Sequence, residues 1–166
     1  RVHFGGEQML VTQDSKQVLS KAGGGYTTTY IKGTIPTGSK LIVELYPCLA
    51  QQSWIETTTL TDASTFQLSL YPIRAIEHVF VNGILVEDYE IDSWNGVITF
   101  DTPQTGNLKV YYTAFPEVDS VPFETREIIG SGVEVRKTMV WNTTGLGSIL
   151  FAFSTDGSTS FYVEVI

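Results

Sequence analysis

The chain has 166 residues and carries a net charge of −8 at pH 7, from 10 Lys and Arg against 18 Asp and Glu. Val, Ile, Thr, Tyr, Phe and Trp make up 42% of it, while Ala occurs only six times, so strand-formers outweigh helix-formers. Such a composition excludes a disordered chain, and an acidic balance whose densest cationic spot is Arg136-Lys137 excludes a protein that tracks phosphates.

Residues 1–21 read as an N-terminal arm, in which QMLVTQ has strand character but weak patterning. Gly23-Gly24-Gly25 reads as a flexible joint. YTTTYIKG (26–33) alternates as a strand does, TIPTGSK turns at Pro36 and Gly38, and KLIVELY (40–46) is an apolar strand stopped by Pro47. In SWIETTTL (53–60), Trp54 and Glu56 alternate with Ile55 and Thr57.

The stretch 65–115 is the most legible. TFQLSLYP puts Phe66, Leu68 and Leu70 on one side. HVFVNGILV then carries Asn82-Gly83 between apolar flanks, the strongest short-range sign of a hairpin, because both central positions of that turn need φ > 0. Asn95-Gly96 predicts a second tight turn, and TPQTGN a third, leading into LKVYYTAF with Leu108, Val110, Tyr112 and Ala114 on one face. These signals predict a five-strand meander. Beyond it, GVEVRKTMVW (132–141) alternates, SILFAFS (148–154) is apolar, Asp156-Gly157 marks a hairpin turn, and SFYVEVI (160–166) ends the chain.

The predicted fold is all-β: an antiparallel β-sandwich with an inserted five-stranded β-meander module. Strand groups of about 40 residues on either side of the meander are too small to stand alone. The expected division is therefore an arm (1–21), a discontinuous sandwich (22–62 with 119–166) and the module (63–118).

Chemistry is sparse. His3 and His78 lie 75 positions apart, without the spacing of a zinc motif, and no GxSxG turn nominates a nucleophilic serine. Neither catalytic residues nor cofactor or metal ligands are expected. Cys48, the single cysteine, reads as a small apolar side chain. Glu87, Asp88, Glu90 and Asp92 could serve a calcium or glycosidase site, but strand alternation splits them, and a solvated edge is the plainer reading. Asn142-Thr143-Thr144 fits a glycosylation acceptor pattern that a Thr-rich chain meets by chance. RVHFGGEQML has no apolar core of a secretory leader, and no apolar run reaches the ~20 residues of a membrane span, so neither leader nor membrane partner is expected.

Among the aromatics, Trp54 and Trp141 sit in regular strands and read as core. Trp94 stands next to a tight turn and is the one expected to be exposed. With Tyr89 and Asn95 it forms the candidate ligand or partner surface, for a glycan or another protein. Only 17% of the residues are charged, against roughly 25% in an average domain. That fits faces covered by neighbouring subunits, whose interface cores are poor in charge, and equally a Thr/Ser-rich secreted domain.

Within 65–115 the order V-x-V-N-G, D-Y-x-I, G-x-I-x-F, P-x-x-G, V-x-Y-Y falls on Val79, Val81, Asn82, Gly83, Asp88, Tyr89, Ile91, Gly96, Ile98, Phe100, Pro103, Gly106, Val110, Tyr111 and Tyr112. This pattern resembles a small β-module recurrent in structural proteins of tailed bacteriophages. The resemblance implies a non-enzymatic virion component, a capsid-decorating or tail-accessory subunit, with other virion proteins as partners and a homo-oligomeric or symmetric assembly. It carries no catalytic residues. The acidic charge speaks against facing DNA and implies the outer surface of head or tail. The alternative is a carbohydrate-binding β-sandwich module, at a receptor-binding tip or beside an extracellular enzyme.

Overall fold

Side chains that alternate between two environments build strands, and strands make up the computed structural model, which describes residues 6–48 and 51–166 and contains no helix among them. The first four are β1 (Glu7–Thr12), β2 (Gln17–Ala22), β3 (Tyr26–Thr34) and β4 (Lys40–Cys48). The next five are β5 (Gln52–Gln67), β6 (Ile73–Val81), β7 (Ile84–Leu85), β8 (Tyr89–Asp92) and β9 (Val97–Ala114). The last four are β10 (Glu124–Ile129), β11 (Glu134–Asn142), β12 (Ser148–Thr155) and β13 (Ser158–Val165). They fall into two compact units, Arg1–Leu49 with Val118–Ile166, and Ala50–Glu117.

The first unit is a β-sandwich of two four-stranded sheets, ordered β1-β13-β3-β11 and β10-β4-β12-β2. All pairings are antiparallel. Every link between consecutive strands of this unit passes from one sheet to the other except that from β4 to β10, which pair with each other in one sheet. Counting only its own eight strands, the orders are 1-8-3-6 and 5-4-7-2, the strand order of a jelly roll. The second unit enters the sequence between the fourth and fifth of these strands.

Between the sheets lies one core. Met9, Val11, Ile31, Trp141, Phe161 and Val163 come from one sheet, and Leu19, Leu41, Val43, Phe151 and Phe153 from the other. Trp141 is fully buried, meets Phe151 edge-on at 5.2 Å, and donates from Nε1 to Thr29 Oγ1 at 2.9 Å. That bond satisfies the indole N–H where water is excluded.

Three expectations need correction here. Residues 7–21 are not an arm, because β1 and β2 are outer strands of the two sheets and bury Met9, Val11 and Leu19 in the core. Residues 1–5 of the expected arm, with His3, lie outside the described residues. Gly23-Gly24-Gly25 is a fixed crossing rather than a loose joint: Gly24 N–H donates to Thr143 O at 3.1 Å and Thr143 N–H to Gly25 O at 2.8 Å. A Cβ on Gly23 would press on the carbonyls of Leu146 and Gly147. Asp156-Gly157 is a corner between sheets, since β12 and β13 belong to different ones, and Asp156 Oδ1 accepts from Lys40 N–H at 3.0 Å.

The second unit is one five-stranded sheet over its own core of Leu60, Leu68, Ile73, Val79, Val81, Ile98, Phe100, Leu108, Val110, Tyr112 and Ala114. Asn82 (φ 51°) and Gly83 (φ 74°) form the expected hairpin turn, with Val81 opposite Ile84. Asn95-Gly96 ends a four-residue loop, closed by Gly96 N–H donating to Asp92 O at 2.8 Å.

The strands number five, but they do not follow one another across the sheet. The order is β5-β9-β6-β7, with β8 on the far part of β9, so the last strand lies between the first two. TPQTGN does not reverse the chain. It lies inside the 18-residue β9, where the pairing with β5 slips between Ala63 and Thr65. Pro103 is tolerated there because the ladder is already interrupted. SWIETTTL also belongs to this unit, since Ser53–Leu60 pair with Thr113–Gly106. The module thus takes in residues the sequence reading assigned to the sandwich.

Candidate interaction site

Tyr89 begins β8, half-buried against the core of the second unit. Trp94, expected to be exposed, is half-buried in the loop 93–96. Asn95 is exposed, yet engaged locally: its backbone N–H donates to Asp92 Oδ1 at 3.2 Å and its side-chain Nδ2 to Asp92 Oδ2 at 2.8 Å. These bonds shape the loop and occupy the amide that would otherwise reach outward.

A more open surface forms on the side of the same sheet that does not carry the core. On β9 the even positions Leu108, Val110 and Tyr112 are buried, so Lys109 and Tyr111 point the other way. Register sets Ile55 opposite Tyr111 on one flank and His78 opposite Tyr111 on the other, with Phe80 opposite Lys109. Three rings gather there. His78 lies 5.8 Å from Phe80, and Tyr111 meets both edge-on at 6.1 Å. The Lys109 ammonium stands 5.2 Å from the Tyr111 ring centre, within cation–π range.

Two open grooves share Tyr111. One, of about 590 Å³, is lined by Thr57–Thr59, Phe80, Gly83 and Asn107–Lys109. The other, of about 690 Å³, is lined by Ser53, Trp54, Ile55, Glu77, His78 and Tyr112. Trp54 is 46% and Ile55 52% exposed. The expectation that Trp54 packs in a core is therefore corrected: β5 is the outermost strand, with no strand beyond it to cover the indole.

Glu56 anchors the inner side of β5. Its Oε1 accepts from Tyr112 OH at 2.6 Å and from Ser69 N–H at 3.0 Å, and its Oε2 from Ser69 OH at 2.6 Å. Burial pushes the carboxyl upward, but these donors outweigh it and hold it below the usual carboxylate range. The Tyr112 phenol is pushed up, by burial first and then by its bond to that carboxylate. Cys48 is buried as expected, and burial, assisted by the charge of Asp119, lifts its thiol to about 11. Among the described residues, no three His, Cys, Asp or Glu side chains are placed to hold a metal ion.

One contact explains why separate parts of the 65–115 pattern occur together. Asn82 Oδ1 accepts from Asn107 N–H at 2.8 Å, which brings the Asn82 side chain over Gly106. A Cβ on Gly106, whose φ is +133°, would come within 2.4–2.6 Å of that amide. The N-G and P-x-x-G elements therefore meet at a single point of the fold.

The open face was half legible in the sequence. LKVYYTAF identifies its buried side, and hence by alternation Lys109 and Tyr111 on the other. Which strands flank them depends on the distant pairings of Ile55 and His78 with Tyr111, for which local pattern gives no signal. Comparison of the chain with protein-family models, curated proteins and solved structures returns no match.

Proposed function

We propose that this chain is a non-enzymatic structural component of a bacteriophage virion, a capsid-decorating or tail-accessory subunit that acts through protein–protein contacts. The observation that carries this reading is topological. A unit with jelly-roll strand order, an architecture used by capsid and lectin domains, holds between its fourth and fifth strands the β-module whose pattern resembles phage structural proteins. The step from architecture to role is one of analogy, since one fold serves many roles. The apolar and Thr-rich exposed face of the module supports the same reading, because such faces suit contacts with other proteins.

The test is composition of the particle. Virions purified from the source that encodes the chain should contain its peptides at a fixed copy number: hundreds for a shell or tube, six or twelve for a ring at the neck or baseplate. Absence from particles would overturn the proposal.

A carbohydrate-binding module is the second reading, and one observation favours it. Trp54, His78 and Tyr111 line a single open groove beside the Glu77 carboxylate, and rings with an adjacent acceptor suit the faces and hydroxyls of a pyranose. Glycan binding abolished by Trp54→Ala and kept in Trp94→Ala would support it. No binding on a broad glycan array would remove it.

A further inference from the structure

The outer strands of a sheet expose backbone N–H and C=O groups that invite another strand, and proteins guard them with charge, brevity, proline or bulges. Nearly all the outer strands described here are guarded. β10 carries Glu124, Arg126 and Glu127 in six residues, and β11 carries Glu134, Arg136 and Lys137 in nine. Lys137 is opposite Ile31, so a charge sits on the core side of that edge. β1 and β2 have six residues each, with Glu7 and Lys21, and β7 has two. The second half of β5 is guarded by register slips on both sides of Ala63.

The first half of β5 is not. Gln52–Leu60 pairs with β9 in unbroken register along one side, with no proline, lysine or arginine. At roughly 3.3 Å per residue it is about 30 Å long. Gln52–Ile55 and Thr57–Thr59 are all exposed. Its single charge, Glu56, is drawn back by Ser69 and Tyr112.

We propose that this edge pairs with the same edge of a second copy, antiparallel across a two-fold axis, joining the two five-stranded sheets into one. The segment is complementary to itself. In the register centred on Thr58 the five residues Glu56–Leu60 of the two copies pair, within the unbroken part of the edge: Thr57 faces the partner's Thr59, a favourable cross-strand pair, and Glu56 faces the partner's Leu60, so the two carboxylates do not meet. Backbone bonds supply the affinity and alternate side chains the selectivity, as in other strand additions.

This inference deepens the assembly reading, but its test needs no particle. A dimer stands even if virions lack the chain, and a monomer leaves the virion reading to its own test. Sedimentation of the full chain should give twice its 18.4 kDa, with a circular two-fold and not an open polymer. The double variant Thr57→Lys/Thr59→Lys sets lysine against lysine twice and should weaken association by about tenfold or more, whereas Thr57→Ser/Thr59→Ser should stay dimeric. A readout independent of any variant is hydrogen exchange of the wild-type chain on dilution, in which amides within 52–60 should lose protection as the dimer dissociates. A wild-type monomer at hundred-micromolar concentration, a lysine variant that dimerises unchanged, or exchange at 52–60 insensitive to dilution would each overturn the proposal.

Discussion

The two units reach all-β structure by opposite routes. In the first, every strand but β4 is followed within the unit by one in the other sheet, and pairs such as β1 with β13 or β3 with β11 join residues a hundred or more positions apart. Both sheets turn one face to a shared core, and Trp141, Phe151, Phe153 and Phe161 are all enclosed. In the second, local turns such as Asn82-Gly83 do part of the work, and one sheet carries a core on a single side. Its other side keeps Ile55, His78 and Lys109 at the surface. The difference teaches that stability and contact are divided: the first unit is built around an enclosed interior, the second around an available face and edge.

The strongest way to break this comparison is to hollow the first core. Phe151→Ala should cost about 3–5 kcal/mol, measured by urea unfolding, with exchange protection falling in β4 and β12 before β9. Equal loss of protection throughout would mean that the two units unfold as one. In the second unit, Gly106→Val should cost about 1–3 kcal/mol, because a side chain there meets Asn82 at a φ that branched residues avoid. If Asn82→Ala restored part of that loss in a double-mutant cycle, the contact between the two pattern elements would be established. A cost that Asn82→Ala leaves unchanged would confine the effect to the backbone.

A change of opposite sign is expected at Thr159. Its hydroxyl is buried without a hydrogen-bond partner, so Thr159→Val should raise stability by about 1 kcal/mol in thermal unfolding. The smallest effect concerns Glu56. Because its carboxyl titrates below the unfolded value, its contribution is present above about pH 4.3 and fades as pH falls through the lower, folded value. The Tm difference between wild type and Glu56→Gln should therefore shrink on acidification in that window. A difference constant with pH would show that the bonds from Ser69 and Tyr112 do not depend on its charge.

Strand content and the Asn82-Gly83 hairpin were legible because composition and φ > 0 turns are local facts. The face Leu108, Val110, Tyr112 and Ala114 was legible for the same reason. What misled were local signals with two uses. Pro103 and Gly106 write a turn in TPQTGN, but serve an interrupted ladder and a seat for Asn82. Leu10, apolar yet outward, blurs the alternation of Met9 and Val11, and so β1 reads as an arm. Trp54 alternates as a core residue would, and only its place on the outermost strand leaves it open. The sheet orders rest on pairings that no short window contains, which is also why topologies of this kind are expected to fold slowly.

The claim that the second unit supplies the contact is tested most directly by comparing hydrogen exchange of the chain free and dilute with the chain in its assembly. Protection should rise within 52–60, the first half of β5, and stay unchanged at 41–45 and 149–153, inside the sandwich core. A rise confined to the first unit, with 52–60 exchanging equally in both states, would contradict it.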